Sequence, residues 1–343
     1  MTKRMRIGLS CCNYSQRLCD GLPIAADSES DAYEMWGVEP QSGCEMVRSL
    51  TPARQSYDRD ALILVLCPDI PARPHYFRQL QSNSAVNNNR GSMPIRVFYD
   101  ELAPRYHLIY ENWPASIVRQ GEALASIISE HWPGTHDVLD VAAGIGTQSL
   151  GLAMRGFRVV GSDLSPKAVE RATAEASQRG LTVATLAANF CNLPIASAST
   201  DVVICCDNSL PHVESSEAAG IALAEWYRCL RPGGGCVLSM RDYGVPPVAG
   251  TVEIMPYGER MWEGHRYSLQ QRWTWHGSRY DLRLEMTPID GDAAPVPVLC
   301  TSYLAITPDH VQRLMREVGF RDVHRFDGRF FQPILVGSKA VAT

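Results

Sequence analysis

The pattern of hydrophobic positions changes near Met93. Residues 1–92 mix Ser, Asn, Pro and Cys without a clear helix or strand period, and this stretch leads into the polar tract QSNSAVNNNRGSM. From His131 onward, short apolar runs alternate with amphipathic segments, which predicts β-α units around a mostly parallel sheet. The predicted strands cover residues 137–142, 157–162, 182–187, 201–206 and 235–240.

Capping residues predict the limits of two helices. Ser165 is a good N-cap and is followed by proline at the first helical position, and Gly180 can end that helix in a left-handed conformation. Thr307, again followed by proline, repeats the start, and Gly319 repeats the end.

Strand-like, aromatic-rich runs such as RYSLQQRWTW and RYDLRLEM fill residues 243–302. They predict a β-rich insertion that covers the carboxyl edge of the sheet. Its aromatic residues alternate at strand spacing, so core packing is the default interpretation for Trp262, Tyr267, Trp273, Trp275 and Tyr280, with one or two of them facing the pocket as the alternative.

These patterns predict two unequal parts. Residues 1–93 are expected to be a low-complexity, disordered extension or an upstream stretch translated from a mis-assigned start, with Met93 as the natural start; a small regulatory module is the alternative. Residues 94–343 are expected to form one catalytic domain. It would comprise N-terminal lid helices (94–130), a cofactor-binding core (131–241), the β-rich cover (242–302), and a terminal helix with strands (303–343).

Composition and charge exclude several classes. The 343 residues are 45% hydrophobic and 20% charged, as in a soluble globular protein, and no apolar run approaches the ~20 residues of a membrane span. No secretory signal is evident, so a cytoplasmic location without membrane association is expected. Bases and acids balance in residues 1–93, so the net charge of −5 falls in residues 94–343, which disfavours nucleic acid as a partner. The eleven cysteines lack zinc spacing, which predicts free thiols and no metal.

The strongest chemical signal is VLDVAAGIGTQSLGLA, residues 138–153, where an apolar strand runs into a glycine turn and a helix. Gly144 and Gly146 let the backbone approach a ligand at the carboxyl edge of the sheet. Asp163 ends the next strand about 20 residues later, where a carboxylate can accept both ribose hydroxyls. These features fit NAD as well as S-adenosylmethionine.

Four further features separate the two cofactors. Asp140 ends the first strand, and Ser149 replaces the third glycine of the dinucleotide fingerprint. Asn189 and Phe190, in AANFCNLP, could read an adenine edge and pack on its face. DVVICCDNSLPH ends the fourth strand, and EWYRCLRPGGGCVL predicts a helix, a glycine turn and a fifth strand.

In this order the pieces resemble the class I S-adenosylmethionine-dependent methyltransferases across roughly residues 130–241 plus a terminal hairpin. Within that class they most closely resemble glycine N-methyltransferase and its bacterial relatives, across residues 98–337. DVAAGIGTQSL resembles that family's DVACGTG-x-x-S, AANF its A-N-W, CDNSLPH its G-N-S-F-A-H, and MRDY its H-R-N-Y. Residues 98–120 resemble its aromatic lid. The resemblance implies a Rossmann-like α/β fold with a mostly parallel seven-stranded sheet, helices on both faces and a β-rich cover. It also implies S-adenosylmethionine as cofactor, and a homo-oligomer is possible in such a family.

The resemblance also implies roles for individual residues. Around the methionine part of the cofactor it places a lid and part of the glycine turn, namely Tyr99, Tyr106, Tyr110, Arg119, Ala142 and Gly144. Asp163 would take the ribose, and Asn189 with Phe190 the adenine. Asp140, Gly146 and Leu164 complete this set, and the Cys206 backbone and His212 would border the transferred methyl group.

Asn208 and Arg241 are the candidate substrate-positioning residues, the first through a carbonyl that orients an amine and the second through a guanidinium that binds a carboxylate. The expected reaction is methyl transfer to the amine of glycine or a related amino acid. Asp207 departs from the small residue of the family, and it could attract a cationic amine or favour a substrate other than glycine. Alternatives are an N- or O-methyltransferase with a larger natural-product or metabolite acceptor, an NAD-dependent oxidoreductase, a nucleic-acid methyltransferase and a non-catalytic cofactor-binding regulator.

Overall fold

The computed structural model of the protein describes residues 93–341. The expectations for residues 1–92 lie outside this range. Six α-helices occur in the described range: α1 (Ile95–Leu102), α2 (Trp113–His131), α3 (Thr147–Ala153), α4 (Pro166–Gln178), α5 (Ser216–Cys229) and α6 (Pro308–Val318). Two 3₁₀ helices cover Ala103–Ile109 and Leu210–His212. None of the helices in this part of the chain combines the length and the apolar character that crossing a bilayer requires.

Seven strands form the central sheet: β1 (Asp137–Asp140), β2 (Arg158–Asp163), β3 (Val183–Ala187), β4 (Thr200–Cys205), β5 (Leu230–Ser239), β10 (Arg321–Phe326) and β11 (Ile334–Ser338). Their spatial order is β10-β11-β5-β4-β1-β2-β3. The first five are mutually parallel, and β11 joins β5 antiparallel before it pairs with β10. The predicted Rossmann-like α/β fold with a mostly parallel seven-stranded sheet is therefore confirmed.

The central strands are apolar on successive residues because both sheet faces are covered. In β1, Val138 packs in one buried cluster together with Leu124 of α2, whereas Leu139 packs in the opposite cluster together with Trp226 of α5. The core thus lies in two layers, one on each face. The polar carboxyl ends of the strands are left free to form a site.

The five strands predicted for the central sheet all occur, but β5 starts earlier than expected. The sequence predicted a glycine turn before residue 235, whereas β5 begins at Leu230, which pairs with Thr200. The register shifts between Thr200 and Val202, so the glycine segment is absorbed as an irregularity within the strand. Gly235 is needed there because a Cβ atom would lie only 1.9 Å from the Trp132 ring.

Both predicted helix limits are confirmed. The Ser165 hydroxyl accepts a hydrogen bond from the backbone N–H of Ala168 (3.1 Å), and Gly180 has a φ of +65°. The Thr307 hydroxyl accepts from the backbone N–H of His310 (3.3 Å), and Gly319 has a φ of +118°.

A second, antiparallel sheet forms the cover. It consists of β6 (Val252–Trp262), β7 (His265–Trp275), β8 (Arg279–Pro288) and β9 (Leu299–Leu304), in that spatial order. Burial alternates along β7 and β8, as the aromatic spacing predicted. The buried face packs in one hydrophobic cluster with Phe98, Leu102 and Leu108 of the N-terminal helical segment. The cover and the N-terminal helices therefore share a core of their own.

Candidate active site

The glycine turn and the end of β2 are joined by one carboxylate. Gly144 and Gly146 have φ angles of +53° and +92°, and Gly146 caps α3. The backbone N–H of Gly144 donates to one oxygen of Asp163 (2.8 Å), and the N–H of Ser165 donates to the other (2.9 Å). Burial raises the pKa of Asp163, and these backbone donors oppose the rise. The turn and the acid are thus held as one unit at the sheet edge.

Asp140 is a buried acid that forms hydrogen bonds next to this unit. Its side chain is 1% exposed, accepts a hydrogen bond from the Ser149 hydroxyl (2.7 Å) and receives a longer one from the backbone N–H of Ala142 (3.4 Å). Burial raises its pKa to about 7. The geometry makes Asp140 a scaffold for the turn.

The three lid tyrosines lie over the strand ends. The Tyr106 ring carbon Cε1 is 3.3 Å from the position that a Cβ atom on Gly144 would occupy, and the Tyr99 and Tyr106 rings are 5.7 Å apart. The Tyr110 hydroxyl donates to Asp207 (3.1 Å). Arg119 is exposed on α2, where it donates to the Ser116 hydroxyl (3.1 Å).

The two residues predicted for the adenine lie just after β3, and Leu164, predicted to bind the cofactor, lies at the end of β2. Asn189 is exposed, and its side-chain oxygen accepts from the backbone N–H of Cys191 (2.9 Å). Phe190 is half-buried and packs edge-on against Trp226 at 5.8 Å between ring centroids. Leu164 is exposed beside Asp163.

Beyond β4 the backbone adopts an unusual shape. Asp207 and Asn208 have φ angles of +56° and +64°, a left-handed conformation that Asp and Asn tolerate better than other non-glycine residues. The Ser239 hydroxyl accepts from the backbone N–H of Asp207 (2.8 Å), and the Ser239 carbonyl accepts from that of Asn208 (3.1 Å). The Asn208 side-chain oxygen accepts from the Arg241 backbone N–H (3.0 Å) and the Tyr243 hydroxyl (3.1 Å). Asn208 is 1% exposed, and its hydrogen bond with the backbone N–H of Arg241 holds the backbone at Arg241 in place.

Arg241 is held by aromatic residues of the cover sheet. Its guanidinium donates to the Tyr280 hydroxyl (3.2 Å) and lies 4.9 Å from the centroid of the Trp273 ring. Tyr280 in turn stacks on Tyr303 at 5.2 Å and 9°. Within residues 93–341, no carboxylate lies within salt-bridge distance of Arg241. The guanidinium is thus positioned by rings and a hydroxyl, without an internal carboxylate partner.

His212 and Cys206 complete the predicted set. The His212 Nε2 atom is 2.7 Å from the Tyr99 hydroxyl, and its ring lies 4.0 Å from that of Tyr303. Burial lowers the pKa of His212 to about 3, so its imidazole is neutral at pH 7. Cys206 is buried, and its backbone carbonyl accepts from the Ser209 hydroxyl (2.8 Å).

A cavity of about 690 Å³ is lined by some of these groups. Its walls come from the N-terminal helices, the loops after β4 and β5, the inner face of the cover and the loop before β11. The lining includes the predicted residues Tyr99, Tyr106, Tyr110, Arg119 and Arg241, together with Asp207, Tyr257, Gln271, Tyr303 and Gln332. The glycine turn and Asp163 adjoin it through the Tyr106 ring, which lines the cavity and contacts Gly144.

Several residues at this site escaped sequence reasoning. Core packing was the default interpretation for the rings around Arg241, with one or two of them facing the pocket as the alternative. Trp273 and Tyr280 are buried, but the sequence did not indicate that these two contact the guanidinium. The aromatic alternation was the available signal for them. Nothing in the sequence marks Ser239 or Gln332, because each acts through residues more than 30 positions away.

Comparisons of the sequence with known proteins point to one family. Residues 138–234 match the family model described as "Methyltransferase domain". A glycine/sarcosine N-methyltransferase from Parasynechococcus marenigrum is 30% identical over 248 residues, which cover 67% of this chain and 77% of the relative.

The chain belongs to the class I S-adenosylmethionine-dependent methyltransferases.

Two further comparisons extend the methyltransferase assignment. A glycine/sarcosine N-methyltransferase from Aphanothece halophytica is 27% identical over 220 residues, covering 62% of this methyltransferase and 76% of the relative. The solved structure of CalS10, an amino pentose methyltransferase from Micromonospora echinaspora, has a TM-score of 0.55 and 20% identity. It covers 73% of this chain and 99% of its own. The latter similarity shows the fold alone.

S-adenosylmethionine is the cofactor of this methyltransferase, and the residues present fit it. Gly144 offers backbone without a Cβ atom at the sheet edge, and the Asp163 carboxylate lies 2.8 Å from its N–H. A carboxylate offers about four lone-pair sites, and the two backbone donors leave capacity for ribose hydroxyls. A cofactor held there would reach the cavity beside Tyr106.

Proposed function

We propose that this methyltransferase acts on the amine of glycine or a related amino acid. The observation that carries the proposal is Arg241, a cation at the cavity wall whose guanidinium has no carboxylate within salt-bridge distance among the described residues. A guanidinium presents paired donors that match a carboxylate. The two glycine/sarcosine N-methyltransferases similar to this chain support the same substrate class.

In this proposal one set of residues binds S-adenosylmethionine and another set binds the acceptor. Asp163 binds the ribose, and Ala142, Gly144 and Gly146 provide the backbone against which the donor lies. Asn189, Phe190 and Leu164 surround the adenine. The lid tyrosines, with Arg119, close over the methionine part.

The acceptor side of the site orients the amine toward the methyl group of the cofactor. S-adenosylmethionine supplies an electrophilic methyl group, so the protein needs mainly to align the acceptor nitrogen and exclude water. Arg241 anchors the acceptor carboxylate, and Asn208 sets the Arg241 backbone through their 3.0 Å hydrogen bond. His212, neutral at pH 7, orients the Tyr99 hydroxyl.

The test is a methyl-transfer assay on the full chain with glycine, sarcosine and larger amines, with S-adenosylhomocysteine as the measured product. Arg241→Gln should lower kcat/KM for glycine by about 100-fold, because loss of one partner of a desolvated charge pair costs about 2–5 kcal/mol. Arg283→Gln is the matched control, since Arg283 lies on β8 of the cover sheet, pairs with Glu285 and is half exposed. Failure of the wild-type protein to methylate any amino acid would contradict the proposal.

A second candidate is N-methylation of a larger amine. The cavity volume of about 690 Å³ favours it, since this falls in the range that holds drug-sized ligands. Turnover of a larger amine that survives Arg241→Gln would select this candidate.

A further inference from the structure

Asp207 is a cavity-lining acid to which the proposed roles give no function. It lies two residues after the end of β4, has a left-handed backbone conformation and lines the cavity. Ser239 fixes this shape through the backbone N–H groups of Asp207 and Asn208. The neighbouring Arg241 segment is tied to the same turn through Asn208. Asp207 and Arg241 are therefore placed by one hydrogen-bonded unit.

The carboxylate of Asp207 accepts fewer hydrogen bonds than it has capacity for. One oxygen accepts from the Tyr110 hydroxyl (3.1 Å) and the other from the Gln332 amide (3.4 Å). A carboxylate can accept about four hydrogen bonds. Throughout residues 93–341, no Lys, Arg or His nitrogen lies within 4 Å of it. Burial raises the pKa of Asp207, while Arg241 and the Tyr110 hydrogen bond lower it.

The other charged groups at the cavity wall are satisfied elsewhere or exposed. Arg329 pairs with Glu130 (2.7 Å), and Glu111 and Arg119 are exposed on the lid. In the described part of the chain, this leaves one anion and one cation, Asp207 and Arg241, as the half-buried charges of the cavity that have no ion-pair partner. Their separation exceeds salt-bridge distance, yet the charge of Arg241 lowers the pKa of Asp207. Two opposite charges held apart in one cavity are complementary to a zwitterion.

We propose that Asp207 is a specificity-determining residue that binds the ammonium group of the acceptor, so that Asp207 and Arg241 together select zwitterionic amino acids over neutral or purely cationic amines. The proposal rests on the proposed amino-acid N-methylation and assigns the group that recognises the amine. An ammonium ion at this position would compensate the cost of holding the half-buried Asp207 carboxylate with no Lys, Arg or His nitrogen within 4 Å among the described residues.

The same contact prepares the amine. Methylation needs the nitrogen lone pair, so the ammonium must first lose a proton. The N–H bond breaks as an O–H bond forms on the Asp207 carboxylate, leaving a neutral amine and a neutral carboxylic acid. The titratable groups whose pKa values the Asp207 charge raises are Tyr99, Tyr106, Tyr110, Tyr257 and Cys206, and Arg241 lowers the pKa of Asp207 itself.

The test uses Asp207→Asn, which keeps the shape of the side chain and suits a positive φ. In the full chain saturated with S-adenosylhomocysteine, methylammonium and acetate serve as half-analogues of glycine, and ligand-observed NMR gives their dissociation constants. Asp207→Asn should weaken methylammonium binding by about 30-fold and leave acetate unchanged, because only the charged partner of the ammonium is lost. Arg241→Gln should show the opposite pattern. In turnover, Asp207→Asn should raise KM for glycine and lower kcat.

Asp242→Asn is the matched control, because this exposed acid is adjacent to Arg241 in sequence but pairs with Arg325 outside the cavity. Asp242→Asn should leave the dissociation constants of both half-analogues unchanged. If Asp207→Asn fails to fold, wild-type binding still decides the question: methylammonium should compete with glycine and methanol should not.

Equal effects of Asp207→Asn on both half-analogues, or weaker S-adenosylmethionine binding with unchanged methylammonium binding, would overturn the inference. Neither result touches the proposed function, which fails only if the wild-type protein methylates no amino acid.

Discussion

The glycine-turn side of the site and the Arg241 side differ in how far apart along the chain their parts lie. Gly144 and Asp163, which form the first, are 19 residues apart and joined by a backbone donor. Arg241 contacts Tyr280 and Trp273, on strands of a separate sheet. The first side depends on backbone shape and the second on side chains brought together by tertiary packing. Changes on the two sides should therefore affect different ligands.

The largest expected effect is on the glycine-turn side. Asp163→Ala should weaken S-adenosylmethionine binding by about three orders of magnitude, since two hydrogen bonds to a charged group contribute roughly 4 kcal/mol together. Calorimetric titration measures this. Arg241→Gln should leave the same constant unchanged, and equal losses in both variants would show that the two sides are not separable.

Asp140 should affect stability more than ligand affinity. Its pKa is about 7 in the folded protein against a reference of 3.8. A raised folded-state pKa stabilises the protein below the unfolded value, and this contribution is lost as pH rises through about 7. Between about pH 4.5 and 7 the wild-type free energy of unfolding should thus fall by about 3 kcal/mol relative to Asp140→Asn. Urea titrations across this range test it, and parallel curves would contradict it.

Gly144→Ala should have a smaller effect on cofactor binding. The left-handed φ costs roughly 1 kcal/mol, and the added Cβ would lie 3.3 Å from the Tyr106 ring. We expect about 10-fold weaker S-adenosylmethionine binding, or ~1.4 kcal/mol. Gly180→Ala is the control, because Gly180 has a similar φ of +65° but no atom within 4 Å of the added Cβ. Equal calorimetric affinities for the two variants would show that close approach at Gly144 is unimportant.

The smallest expected effect is on the Arg241 side. Tyr280→Phe removes the hydroxyl that accepts from Arg241 and should raise KM for glycine about 5-fold, for a typical hydrogen bond of about 1 kcal/mol. The affinity for S-adenosylmethionine should not change. Tyr267→Phe makes the same deletion on the same sheet, where the hydroxyl donates instead to the Ala294 carbonyl (3.0 Å). An identical rise in KM for both variants would contradict the role of Tyr280.

The sequence alone determined the α/β core and the glycine-turn side of the site. Each depends on signals within a few residues: apolar runs buried on both faces, the Ser165 and Thr307 caps, and the spacing from Gly144 to Asp163. The start of β5 was misplaced, because its pairing with Thr200 and the contact of Gly235 with Trp132 are long-range. Local pattern cannot report such contacts.

Only the tertiary structure decided the surroundings of Arg241 and Asp207. The sequence placed both residues after apolar strands but did not indicate which side chains surround them. The partners of Arg241 come from β7 and β8, and those of Asp207 from the lid and the loop before β11. Electrostatic and aromatic contacts depend on distance in space, which the folding of the cover over the sheet edge sets. The cofactor side was therefore visible as a motif, whereas the acceptor side exists only as an assembled cavity.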